Sequence, residues 1–129
     1  MEIHANRLWN RLSELGRIGS YPDGSITRLS CTKEDAAARD WLIGEMSSAG
    51  LEVYVDAVGN VIGKLCGEDD SAPAVITGSH YDTVRHGGRF DGTLGLLSAL
   101  EAVQTIIEQK KNLINTIYVI GYKDEEGNR

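Results

Sequence analysis

Five side chains able to bind a metal ion or move a proton recur at short intervals in this 129-residue chain: His80 and Asp82, Asp91 after eight intervening residues, and the adjacent Glu125 and Glu126. Imidazole with carboxylates is a donor set that suits zinc first, and also manganese, cobalt or nickel. Two divalent ions sharing a bridging carboxylate would account for so acidic a set. Carboxylates about 4 Å apart repel by about 4 kcal/mol at an effective dielectric of 20, so gathering several without a cation would raise their pKa values or push the loops apart.

The elements around these residues explain how distant positions could meet. Ala74 to Gly78 is a nearly continuous apolar run suited to a strand buried on both faces, and it delivers His80 at its end. A loop through Gly87, Gly88 and Gly92 leads into a helix with Leu96, Leu100, Val103 and Ile107 on one stripe. After a polar turn at Lys110 to Asn112, Ile114 to Tyr122 is a second β-branched and apolar run. Strand, helix and strand in this order pair in parallel with a right-handed crossover. Both strands then end at one edge of the sheet, where open α/β folds bind ligands. His80, Asp82, Glu125 and Glu126 converge on that edge, and Asp91 joins them because it precedes the helix.

Upstream, Leu8, Leu12 and Leu15 define a helix over 5–15 that stops at Gly16, and 17–31 reads as irregular loop. Thr32 and Asp35 have capping-box spacing before a helix faced by Ala38, Leu42, Met46 and Ala49 and ended by Gly50. Leu51 to Asp56 alternates in polarity, and with Asn60 to Leu65 it forms a pair of antiparallel strands. Gly67 to Pro73 is a polar loop.

Composition narrows the function classes. Thirteen basic against nineteen acidic residues give a net charge of −6 without a Lys/Arg cluster, which argues against nucleic acid or an anionic membrane and for a small-molecule substrate. No apolar run reaches the roughly 18 residues of a membrane span. Cys31 and Cys66 read as reduced thiols of a cytoplasmic protein.

Each site residue also has an ordinary reading: Asp91 as a helix cap, Asp82 as a turn residue, Glu125 and Glu126 as a solvated acidic loop, His80 as a structural histidine. Their joint placement at two strand ends and one helix start favours the metal. His4 and His86 read as surface residues. A phosphate cradle is disfavoured because both G-x-x-x-x-G-K-[ST] and G-x-G-x-x-G are absent and the carboxylates would repel the anion.

Gly78-Ser-His-Tyr-Asp-Thr-Val84, Gly87-Gly-Arg-Phe-Asp-Gly92 and Glu125-Glu-Gly-Asn-Arg129 resemble the amidase, hydantoinase and carbamoylase branch of the M20 metallopeptidase superfamily, which includes N-carbamoyl-L-amino acid hydrolases and allantoate amidohydrolases. The likeness extends upstream through Arg28-Leu29, Thr32 to Asp35, Ala38-Arg39, Gly50-Leu51 and Asp56-Ala-Val-Gly-Asn60. It implies an α/β fold, the amino-terminal part of a zinc-peptidase-like three-layer domain with a mixed, partly parallel sheet. Residues 1–129 would then be the amino-terminal part of a catalytic metal-binding domain, without the dimerisation domain and the rest of the catalytic domain.

The resemblance further implies a binuclear metal-dependent amidohydrolase cleaving a C–N bond of a ureido or amide substrate, such as an N-carbamoyl-L-amino acid or allantoate. In it His80 ligates one metal, Asp91 bridges both, Glu126 ligates the other, Glu125 is the general acid and base, and Asp82 orients His80 by accepting from its second ring nitrogen. Family members are roughly three times as long, form homodimers, and supply two more histidine ligands beyond the point matching Arg129. The chain alone is therefore expected to be inactive and to expose an unpaired strand edge near Tyr122 that favours self-association. The competing reading is a short, non-catalytic metal-binding or interaction domain derived from such an enzyme. An aminopeptidase ranks lower because of the Gly-Gly-Arg-Phe-Asp-Gly form.

Overall fold

A computed structural model describes residues 2–128. Helix α1 (Ala5–Leu15) buries Leu12 and Leu15 and closes at Gly16. Helix α2 (Lys33–Ser48) starts where the hydroxyl of Thr32 accepts the amide of Asp35 at 3.3 Å. The Asp35 carboxylate returns to the amide of Cys31 at 2.9 Å, one residue before the N-cap amide that a capping box would use. Ala38, Leu42 and Met46 are its buried stripe.

Strands β1 (Glu52–Val55) and β2 (Val61–Leu65) form the expected antiparallel pair, with Val53 opposite Gly63. Strands β3 (Val75–His80) and β4 (Ile117–Tyr122) pair in parallel across helix α3 (Thr93–Glu108), so that His80 lies opposite Tyr122. The four strands run in the order β1-β2-β4-β3, a mixed, partly parallel sheet of an α/β fold.

Helices α2 and α3 share one face of the sheet. A Cβ on Gly121 would lie 2.6 Å from a methyl of Leu42 and 3.5 Å from one of Leu96, so the two helices meet over β4 because glycine leaves room there. Leu96, Leu97, Leu100 and Val103 pack into this layer, each contributing about 1.5–3 kcal/mol of burial. Helix α1 is pinned to α3 by charge: Arg7 donates twice to the buried carboxylate of Glu101, at 2.8 Å each, and Arg11 bonds Glu45 of α2 at 2.8 Å.

Two expectations about the strands are corrected. β4 is interior, because β2 takes the side of it that β3 leaves free, so the end near Tyr122 is no sheet edge. The edge on that side is β3, which is not buried on both faces: Val75 and Ile76, successive residues that point to opposite faces, are 49% and 62% exposed. The described residues thus form two layers, the opposite sheet face carrying the half-exposed Tyr54 and Tyr122.

Candidate metal centre

The carboxyl edge of the parallel pair collects all five residues. His80 is the last residue of β3 and is buried against the start of α3. Its Nδ1 lies 3.0 Å from the main-chain oxygen of Asp82. A carbonyl can only accept, so Nδ1 carries the proton and the Nε2 lone pair is left free. That lone pair faces the acids: Nε2 is 3.7 Å from Asp91 and 3.7 Å from Glu125. One ligand atom each from His80, Asp91 and Glu126 lie within 4.8 Å of one another, the spacing one cation could span.

The Asp82 carboxylate does something other than orient the imidazole. It is fully buried, stands 3.7 Å from Nδ1, and accepts the amides of Glu125 and Glu126, each at 3.3 Å. The ring is therefore oriented by the Asp82 backbone, and the side chain anchors the glutamate turn. Asp124, in the left-handed region at φ 59°, opens that turn, and its carboxylate caps the amide of Asn128 at 3.0 Å.

Carboxylates crowd this edge, with His80 the basic group among them. Burial comes first in holding the Glu126 carboxyl above its ordinary value; His80 opposes it only when its imidazole is protonated, and the charges of Asp91, Glu125 and Asp82 add to it. Asp91 and Glu125 keep 63% and 58% of their side-chain surface open to solvent, so the site is approached from outside. A cation among these oxygens relieves the repulsion.

Sequence reasoning missed the supports beneath this edge. Arg28 is buried under the segment after β3: its side chain bonds the backbone oxygens of Tyr81, Leu15 and Ile18 at 2.6, 3.0 and 2.8 Å, and its amide bonds the Thr83 hydroxyl at 2.8 Å. Burial pushes its pKa down to about 10, with Asp35 and Asp82 opposing. Segment 17–31, read as loop, docks through Ile26, which forms bridges with Ser20 and Gly87. A buried polar side chain in a loop leaves no periodic signal. His4 and His86 are exposed and outside the cluster; His86 instead meets the Ser25 hydroxyl at 3.0 Å.

An open α/β sheet that gathers imidazole and carboxylates at its carboxyl edge defines a metallopeptidase-like scaffold. Residues 60–128, more than half of the chain, match the sequence model of Peptidase family M28, and the chain belongs to that family. It is 47% identical over 127 residues to an N-carbamoyl-L-amino acid amidohydrolase of Geobacillus stearothermophilus, covering 98% of this chain and 31% of that one. With an allantoate amidohydrolase of Bacillus subtilis it shares 39% identity over 124 residues, covering 96% and 30%. The structure of a hydantoinase/carbamoylase family amidase from Burkholderia ambifaria superposes with a TM-score of 0.94 at 40% identity, covering 99% of this chain and 32% of that one. The chain spans about a third of the length of the relatives it matches.

Proposed function

We propose that this chain is the amino-terminal part of the catalytic domain of a binuclear metal-dependent amidohydrolase acting on a ureido or amide C–N bond, as in an N-carbamoyl-L-amino acid or allantoate. The observation that carries this reading is the free Nε2 of His80 set among Asp91, Glu125 and Glu126. The donor set fits a divalent ion, zinc first, with manganese, cobalt or nickel as alternatives. His80, Asp91 and Glu126 would hold it, with Asp91 shared between two ions.

When bound, the metal supplies Lewis acidity towards the substrate carbonyl and acidifies water. Glu125, open to solvent and 3.7 Å from His80, would take the proton from the attacking water and return it to the departing nitrogen. Asp82 holds the turn so that Glu125 and Glu126 present together. The names of the relatives support the amidohydrolase reading, and the motifs support the finer placement in the M20 superfamily, although the family model that matches is M28. The same reading makes the complete enzyme a cytoplasmic homodimer with a small-molecule substrate and no nucleic-acid or membrane partner. Among the described residues no helix is long and apolar enough to cross a membrane.

The test is ammonia release from N-carbamoyl-L-amino acids and from allantoate by the product of the whole reading frame that encodes this chain. We expect turnover that a chelator abolishes and a divalent metal restores. Glu125→Gln should abolish turnover while sparing metal binding, and the 129-residue chain alone should be inactive. Near-normal turnover by Glu125→Gln would remove Glu125 as the acid and base. Metal binding without turnover of any C–N substrate by the whole product would favour the non-catalytic domain instead.

A further inference from the structure

Lys123, the residue between β4 and the glutamate turn, is held at both its backbone and its side chain. Its amide donates to the side-chain oxygen of Asn60 at 2.9 Å. Its ammonium lies 3.0 Å from the Asp35 carboxylate, whose side chain is 3% exposed against 17% for the lysine. Asn60 is itself fixed, its amide group donating to Asp56 at 2.8 Å. The other oxygen of Asp56 accepts the amides of Val58, Gly59 and Asn60 at 3.0, 2.9 and 2.9 Å, which makes the β1–β2 turn rigid. The lysine stem crosses that turn at Gly59, where a Cβ would lie 2.6 Å from its Cδ.

Asp35 gives this pair its leverage. One of its oxygens takes the amide of Cys31 and the ammonium of Lys123, and the other is buried with no hydrogen-bond partner. Arg28 acts on Asp35 only through space, since its guanidinium bonds backbone oxygens. Lys123 is thus the cation in direct contact with a buried carboxylate, and a carboxylate so placed draws its partner in strongly.

We infer that Lys123 is a positioning residue for the Glu125–Glu126 turn, its ammonium seated on Asp35 and its amide on Asn60. The segment enters Asp124 and its left-handed bend from a fixed point, and the amides of Glu125 and Glu126 then reach Asp82. The anchor ties α2 and the β1–β2 turn to the glutamate turn. This inference deepens the proposed function and takes its catalytic meaning from that reading, but its geometry is independent of any metal.

Hydrogen exchange of single amides in the metal-free 129-residue chain tests it, comparing wild type, Lys123→Met and the double variant Lys123→Met with Asp35→Asn. The double variant leaves no orphaned charge, so it separates positioning from simple neutralisation of Asp35. We expect the amides of Glu125 and Glu126 to exchange at least tenfold faster in both variants, with that of Val119 inside β4 unchanged. Wild-type rates at Glu125 and Glu126 in the single variant would overturn the inference. So would fast exchange that returns to wild-type rates in the double variant, or a rise at Val119 equal to that at the glutamates. Titration of the wild-type chain with Co²⁺ bears on the functional reading separately: a failure to bind would remove the metal site and leave the exchange result standing.

Discussion

Gly92 lies so close to the imidazole of His80 that a Cβ built on it would stand 2.5 Å from three ring atoms. Its backbone also has a positive φ of 69° with ψ −48°, a sparsely populated region where a side chain costs about 1–3 kcal/mol. Gly92→Ala should therefore displace the ring and destabilise the chain by more than that strain alone. We expect Co²⁺ affinity to fall at least tenfold, read by visible absorption, beside a lower midpoint in urea. Unchanged affinity would mean that the ring position is not critical.

Asp82 accepts two amides through one buried carboxylate. In Asp82→Asn the amide nitrogen would face an N–H that needs an acceptor, a loss of about 1–3 kcal/mol. We expect urea unfolding to show that loss and metal affinity to fall tenfold or more. His80 should keep its Nδ1–H tautomer, because the acceptor is the main-chain oxygen. Imidazole nitrogen shifts in NMR check the last point.

The Arg7, Arg11 and Glu101 network predicts a pH dependence. Burial raises the Glu101 carboxyl, but hydrogen bonds from Arg7 and the His4 amide outweigh it, and the net shift is downward from 4.5. A depressed folded-state pKa means stability that is present above the unfolded value and lost as pH falls through the folded one. Glu101→Gln should cost about 1.5–3 kcal/mol at pH 7, because hydrogen bonds to a charged acceptor become neutral ones while Arg7 keeps Glu108 and Arg11 keeps Glu45. The gap to wild type should begin to narrow as pH falls below 4.5 and close only once pH has passed the lowered folded-state value. A gap independent of pH would assign the effect to packing.

The outer edge at β3 carries the exposed Val75 and Ile76 beside unpaired backbone groups. Reversible self-association of the 129-residue chain is the expected outcome, and Ile76→Lys should shift it towards monomer. Light scattering across a concentration series decides it; a wild-type monomer at all concentrations would contradict the expectation.

Much of this was legible in the sequence. The strand, helix, strand order placed the five residues at one edge, because short β-branched runs and a 3.6-residue stripe are strong local signals. The edge itself was misplaced, since nothing local to Ile117–Tyr122 announces that β2 pairs on its far side. The role of Asp82 was half legible: spacing put it beside His80, but whether backbone or carboxylate reaches the ring depends on the turn after β3. Lys123 gave no functional signal and Asn60 only its place in a motif of the resemblance, because their partners lie 88 and 63 positions away.

The central claim is that His80, Asp91 and Glu126 together hold a divalent cation. Calorimetric titration of the wild-type chain with Zn²⁺ tests it most directly, with His80→Ala, Asp91→Asn, Glu126→Gln and Glu125→Gln alongside. The account predicts saturable binding, weakened at least tenfold by each of the first three substitutions and little changed by Glu125→Gln. No saturable binding, or binding that all of these variants retain, would contradict it.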